Sequence, residues 1–158
     1  MLRRACLLTL MAMLAMTAAA CAPQYVNIPA QRGGVALNNP NASNVRIVET
    51  LALDAVLRDR PLDGPVLINL PEGTEASTYA AVAAELDATV VTPHDEATEP
   101  ASTLTVRAVR IRSSRGEVDV IRPRGGQAQQ LVTVHLSVSP LSGWSVDRVH
   151  AWQGVVDE

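Results

Sequence analysis

At Thr103 the hydrophobic pattern of this chain changes its period, and that change restricts the fold more than any other feature. Before it, apolar residues recur at helical spacing, as Val45, Val48, Ala52, Ala55 and Val56, then as Tyr79, Val82, Ala83 and Leu86. After it they alternate. Val132, Val134, Leu136 and Val138 occupy every second position, as a strand with one wet face requires. Leu104, Val106 and Ala108 share one parity and Val109 and Ile111 the other, so the alternation slips by one near Ala108. A β-bulge there restores a single core face. Val118 and Val120 mark another strand, and Trp144 to Trp152 the last. Turns at Ser114-Arg115-Gly116, Gly125-Gly126 and Pro140 to Gly143 divide this half of the chain into four strands.

The N-terminal half reads differently. Ser43 or Asn44 caps a helix running to about Arg60, with Asp54 and Arg58 four residues apart and able to pair. Pro61 and Asp63-Gly64-Pro65 stop it. Val66 to Leu70 is a short buried strand, Thr74 caps a second helix, and Thr89 to Thr92 forms another brief strand. Tyr25, Val26 and Ile28 can add an edge strand, and His94 to Pro100 is an acidic loop. The predicted class is α+β, with two N-terminal helices packed on a curved, mainly antiparallel sheet of four or more strands. The order of elements is similar to that of nuclear-transport-factor-2-like and cystatin-like folds. In a cone-shaped domain of that type, the polar sheet face would line a pocket.

The first residues carry an address. Arg3 and Arg4 precede the apolar run Ala5 to Met16, which is too short to span a bilayer, and Thr17 to Ala20 close it with small residues. The sequence Ala18-Ala19-Ala20-Cys21 resembles the lipobox of bacterial lipoproteins, with Ala18 where Leu is usual. The resemblance implies cleavage before Cys21, a diacylglycerol on its sulfur and an acyl chain on its nitrogen. Ala22, rather than Asp, in the next position implies the outer membrane, facing the periplasm. An ordinary signal peptidase acting on the same Ala-x-Ala pattern would instead release a soluble periplasmic protein. The predicted organisation is a signal peptide over 1–20, a lipidated cysteine and flexible tether over 21–43, and one domain over 44–158. Cys6 lies in the leader, so the mature chain keeps one cysteine and forms no internal disulfide.

Every basic residue is Arg, which excludes lysine Schiff-base chemistry. Loss of Arg3 and Arg4 leaves eleven basic residues against sixteen acidic ones, a formal charge of −5. The charge is unevenly placed. From Glu49 to Glu99 eleven acids face Arg58 and Arg60, whereas from Arg107 to Arg124 six arginines face only Glu117 and Asp119.

Those arginines form the first candidate site. Arg107, Arg110, Arg112, Arg122 and Arg124 suit phosphate or carboxylate through guanidinium forks. They suit also, and more simply, a structural role as edge-strand arginines that pair with Glu117 and Asp119 and block edge-to-edge aggregation. Nucleic acid is not the expected partner, because the chain is net negative and the ribbon contains no aromatic residue on which bases could stack. His135 and Asp147 form the second candidate. Pairing of the last two strands sets Val138 opposite Trp144 and Leu136 opposite Val146, which brings His135 near Asp147 or Arg148, with Thr133, Ser137 and Ser145 on the same face. Such groups are the raw material of acid–base chemistry or simply the wet face of an amphipathic strand. No G-x-S-x-G occurs, so no catalytic residue is assigned. His94-Asp95-Glu96, His135 and His150 lack metal-site spacing, and neither a metal nor a cofactor is expected. The functional expectation is a membrane-anchored, non-enzymatic binding or structural module that contacts membrane lipid through Cys21 and another envelope component or anionic polymer. The alternative is a small-molecule enzyme or ligand binder with a pocket around His135 and Asp147.

Overall fold

The computed structural model describes residues 25–30, 37–86, 90–94, 102–125 and 128–155. Its elements are β1 (Tyr25–Ile28), α1 (Ser43–Asp59), β2 (Val66–Asn69), α2 (Ala76–Glu85), β3 (Val90–Val91), β4 (Ser102–Arg112), β5 (Arg115–Gly125), β6 (Ala128–Ser139) and β7 (Gly143–Val155). The class is α+β, with a seven-stranded, mostly antiparallel sheet in the order β3-β2-β4-β5-β6-β7 and β1 also beside β4. The two helices do not both precede the sheet, as the sequence led us to expect. β1 comes before α1, and β2 lies between the helices. The reason is the long central strand β4, whose one edge is taken by β5. Its other edge is shared end to end by β2, parallel from Val66↔Ser102 to Asn69↔Thr105, and β1, antiparallel from Ile28↔Val109 to Tyr25↔Arg112. The N-terminal strands thus satisfy backbone groups that the C-terminal meander leaves open.

The slip in β4 is a register shift between Val106 and Ala108. Because of it, Leu104, Val106, Val109 and Ile111 are all buried on the side where the helices lie. Val118, Val120, Val132, Val134 and Leu136 join them from β5 and β6. α1 covers this surface with Val45, Val48, Ala52, Leu53 and Val56, and α2 contributes Tyr79 and Val82. The Leu70 N–H donates to the Tyr79 hydroxyl at 2.9 Å, which ties α2 to the end of β2.

Helix starts differ from the sequence reading. α1 follows Ala42, and Asn44 bonds the neighbouring Val45 N–H at 3.0 Å. Thr74 turns back to the Pro71 carbonyl instead of capping α2. The N-terminus of α2 is held from a distance by Asn41, whose Oδ1 accepts from the Glu75 N–H at 2.8 Å and from the Thr78 hydroxyl at 2.9 Å, while its Nδ2 donates to the Gly73 carbonyl at 3.0 Å. Within the segment 21–43, then, Val26 and Ile28 are core residues and Asn41 is a clamp. The Asp54–Arg58 pair forms at 2.9 Å on the exposed side of α1.

Glu49 lies in the buried stripe of α1, fully enclosed between Val45 and Leu53, and neither carboxylate oxygen has a hydrogen-bond partner. Burial pushes its pKa from 4.5 up to about 8, so the group is neutral in the folded chain at pH 7. The unfolded chain ionises this carboxyl from pH 4.5 upward while the folded chain does not, so its contribution to stability falls between about pH 4.5 and 8 and is flat above. Denaturant melts across this range should show the wild type losing up to about 1.4 kcal/mol per pH unit relative to Glu49→Gln. Parallel pH profiles for the two proteins would contradict a neutral, unpartnered Glu49.

Candidate functional site

The face of the sheet turned away from the helices is polar, and the strand register arranges it in rows. One row runs Tyr25, Arg112, Arg115, Ser137, Ser145; the next runs Asn27, Arg110, Glu117, His135, Arg148; a third runs Ala108, Asp119, Thr133, His150.

Arg110 is the centre of a hydrogen-bonded network on this face. Its Nε donates to Glu117 Oε2 at 3.1 Å and its terminal nitrogen to Asp119 Oδ2 at 2.8 Å. The hydrogen bond to Asp119 raises the Arg110 pKa further above its ordinary value, against the opposing effect of burial. Asp119 Oδ1 accepts from the Thr133 hydroxyl at 2.7 Å, and that hydroxyl accepts from Trp152 Nε1 at 3.0 Å. The His150 ring meets Trp152 edge-on at 4.6 Å between centroids.

His135 and Asp147 are neighbours without being partners. A register shift between His135 and Leu136 sets Arg148, not Asp147, opposite His135. His135 Nδ1 lies 3.5 Å from Glu117 Oε1, and its Nε2 lies 3.4 Å from an Arg148 nitrogen. Asp147 accepts instead from the Ser137 hydroxyl at 2.7 Å. The histidine therefore faces a carboxylate and a guanidinium, and the hydroxyl beside it belongs to a different acid.

Among the described residues, two cavities of about 300 Å³ each open on this face, and neither of these is lined by His135 or Asp147. One lies between β1 and β4, bounded by Asn27, Pro29, Arg107, Arg110 and Asp119. The other is lined by Arg110, Arg112, Arg115 and Glu117. Among the described residues no group of three His, Cys, Asp or Glu side chains is placed to hold a metal, and no helix is long and apolar enough to cross a membrane. Cys21, Asp95 and Glu96 lie outside the described residues.

The arginine ribbon divides between the two sides of the sheet. Arg107, Arg110 and Arg112 lie on the outer face, joined by Arg115, which the sequence reading had placed in a turn. Arg122 has the parity of Val118 and Val120 and is buried on the helix side. Its terminal nitrogen donates to Asp59 Oδ2 at 2.7 Å at the end of α1, and its Nε donates to Gln130 Oε1 at 3.2 Å. Gln130 in turn donates to the Trp152 carbonyl at 2.9 Å, so Arg122 locks α1 to three strands. Arg124 sits at the exposed end of β5, beside a second register shift. Sequence reasoning passed over Glu49, Asp59 and Gln130. The parity of Arg122 was the available signal for the last two.

Arg122 and Arg112 should therefore behave differently when removed. Arg122→Met loses charge-assisted hydrogen bonds in a buried setting and should cost about 2 kcal/mol in urea denaturation, whereas Arg112→Ala should stay within about 0.5 kcal/mol. Equal losses would mean that the two arginines share one structural role. Compared with protein-family models, with curated proteins and with solved structures, the chain matches none.

Proposed function

We propose that this chain is a lipid-anchored module of the bacterial cell envelope that binds an anionic envelope component on the outer face of its sheet, without chemical conversion. The leader ending in Ala18-Ala19-Ala20-Cys21 supports the anchor and the compartment. The observation that carries the binding role is the cavity between β1 and β4. Arg107 stands at its wall with no ion-pair partner among the described residues, beside the Asn27 amide. Both oxygens of Asp119 are turned to Arg110 and Thr133, and among the described residues no ion pair joins it to Arg107. A phosphate or carboxylate entering there meets a guanidinium that nothing else neutralises. The separate partners of His135 and Asp147 favour binding over catalysis, since a general base needs to reach the group it deprotonates.

Two measurements test this reading. The intact mass of the protein extracted from membranes should exceed that of the chain from Cys21 onward by a diacylglycerol and an acyl chain; an unmodified chain removes the anchor. Purified protein should sediment with isolated lipopolysaccharide, as the phosphate source, or with isolated cell wall, as the carboxylate source, and added salt should release it. Arg107→Ala should weaken that binding about ten-fold while His135→Ala leaves it unchanged. Sedimentation that is absent with both, or indifferent to salt, sinks the binding role.

A further inference from the structure

We infer that the Tyr25 end of the sheet docks on the membrane surface, with Arg112 and Arg115 on anionic lipid head groups and Tyr25, Leu37 and Leu141 in the interface. This rests on the anchor at Cys21 proposed above. Only residues 22–24 separate Cys21 from Tyr25, the first residue of β1. Four extended links reach at most about 14 Å. β1 is fixed by its pairing with β4 and by burial of Val26 and Ile28, so lipid on Cys21 brings this end of the domain, and no other, against the bilayer.

Three segments meet at that end. Arg112 is register partner to both Tyr25 and Arg115, across the turn Ser113-Ser114. Arg115 faces Ser137 on β6, and the Val138 N–H donates to the Ser114 carbonyl at 2.9 Å. The β6–β7 turn carrying Leu141 therefore projects beside the Ser113-Ser114 turn. Leu37 joins them from the edge of β1, its N–H donating to the Tyr25 carbonyl at 2.8 Å.

The chemistry of this end fits a lipid surface. Tyr25 is 51% exposed, Leu37 62% and Leu141 99%, which places here three of the five large apolar side chains exposed among the described residues. Arg112 and Arg115 oppose each other directly, an arrangement of like charges that repels. Neither has an ion-pair partner among the described residues; Glu117, which lines the same cavity, is engaged by Arg110 and faces His135, and Asp147 accepts from Ser137. A head-group phosphate between the two guanidiniums would relieve the repulsion. A dissolved anion would serve the arginines equally well but leaves the apolar tips in water. Tyrosine, leucine and arginine together make up an interfacial surface, apolar bodies inward and charge at head-group level.

The test uses the chain from Cys21 onward, which contains every described element and has Cys21 as its only cysteine. Its thiol is coupled to a maleimide lipid in vesicles of phosphatidylcholine, with or without phosphatidylglycerol. This coupling supplies the anchor whatever happens in the cell, so failure here is separate from a failed intact-mass result. The two tryptophans report the two ends. Trp144 lies against Gly116, next to Arg115, whereas Trp152 bonds Thr133 further along the sheet. Quenching by a lipid with a nitroxide head group is read in Trp152→Tyr and Trp144→Tyr proteins. Phosphatidylglycerol should increase quenching of Trp144 more than that of Trp152, and sodium chloride should reverse the increase. Arg112→Ser with Arg115→Ser should lower the docked-to-undocked ratio about thirty-fold on the anionic vesicles. Leu141→Ser should lower quenching on both vesicle types. Three results overturn the inference: Trp144 quenching that ignores phosphatidylglycerol, equal quenching of both tryptophans, or release by inorganic phosphate beyond that by chloride at equal ionic strength. The last would make the arginine pair a site for small phosphates.

Discussion

The extra residue in β4 governs what each side of this domain can be. Without the shift between Val106 and Ala108, Leu104 and Val106 would face the helices only if Val109 and Ile111 faced water. With it, all four are buried, and Arg107, Arg110 and Arg112 are left together on the other side. A single local irregularity thus completes the core and gathers the charge. The outer network through Glu117, Asp119 and Thr133 then follows from ordinary pairing with β5 and β6, because each register partner brings its side chain to the same face.

The same strand explains why the helices and the sheet form one body. β4 needs two short strands along one edge, and both come from the N-terminal half of the chain. α1 lies over the inner surfaces of β4 to β7, and the Arg122–Asp59 bond fastens its end where the apolar contact runs out. Arg122 is costly to bury and is tolerated because Asp59 and Gln130 occupy its donors. Glu49 is the opposite case. It has no partner, and the chain accommodates it by leaving it protonated.

Much of this was legible in the sequence. The bulge near Ala108, the antiparallel meander, the two helices and the facing of Val138 with Trp144 all follow from period and turn chemistry. The pairing of β1 and β2 along one edge of β4 does not, because a four-residue strand gives too few alternations to reveal where it will pair. Glu49 stayed hidden because a hydrophobic stripe is found by counting apolar residues. Asn41 stayed hidden because its partners at Gly73, Glu75 and Thr78 are distant in sequence. At the outer face, residue types were visible but pairing was not. One register shift decides that His135 meets Arg148 and that Asp147 meets Ser137.

The placement of β1 also bears on how the domain assembles. Tyr25 to Ile28 pair with Arg112 to Val109, residues joined through almost the whole helical half of the chain. Closing so long a loop costs entropy that few local contacts repay, so this pairing belongs late in folding, after β4 has found β5 across its two-residue turn. A chain synthesised from its N-terminus delivers β1 long before the strand that it pairs with. For that interval Val26 and Ile28 have no core to enter, and the nascent domain presents an unpaired edge of β4 to its surroundings.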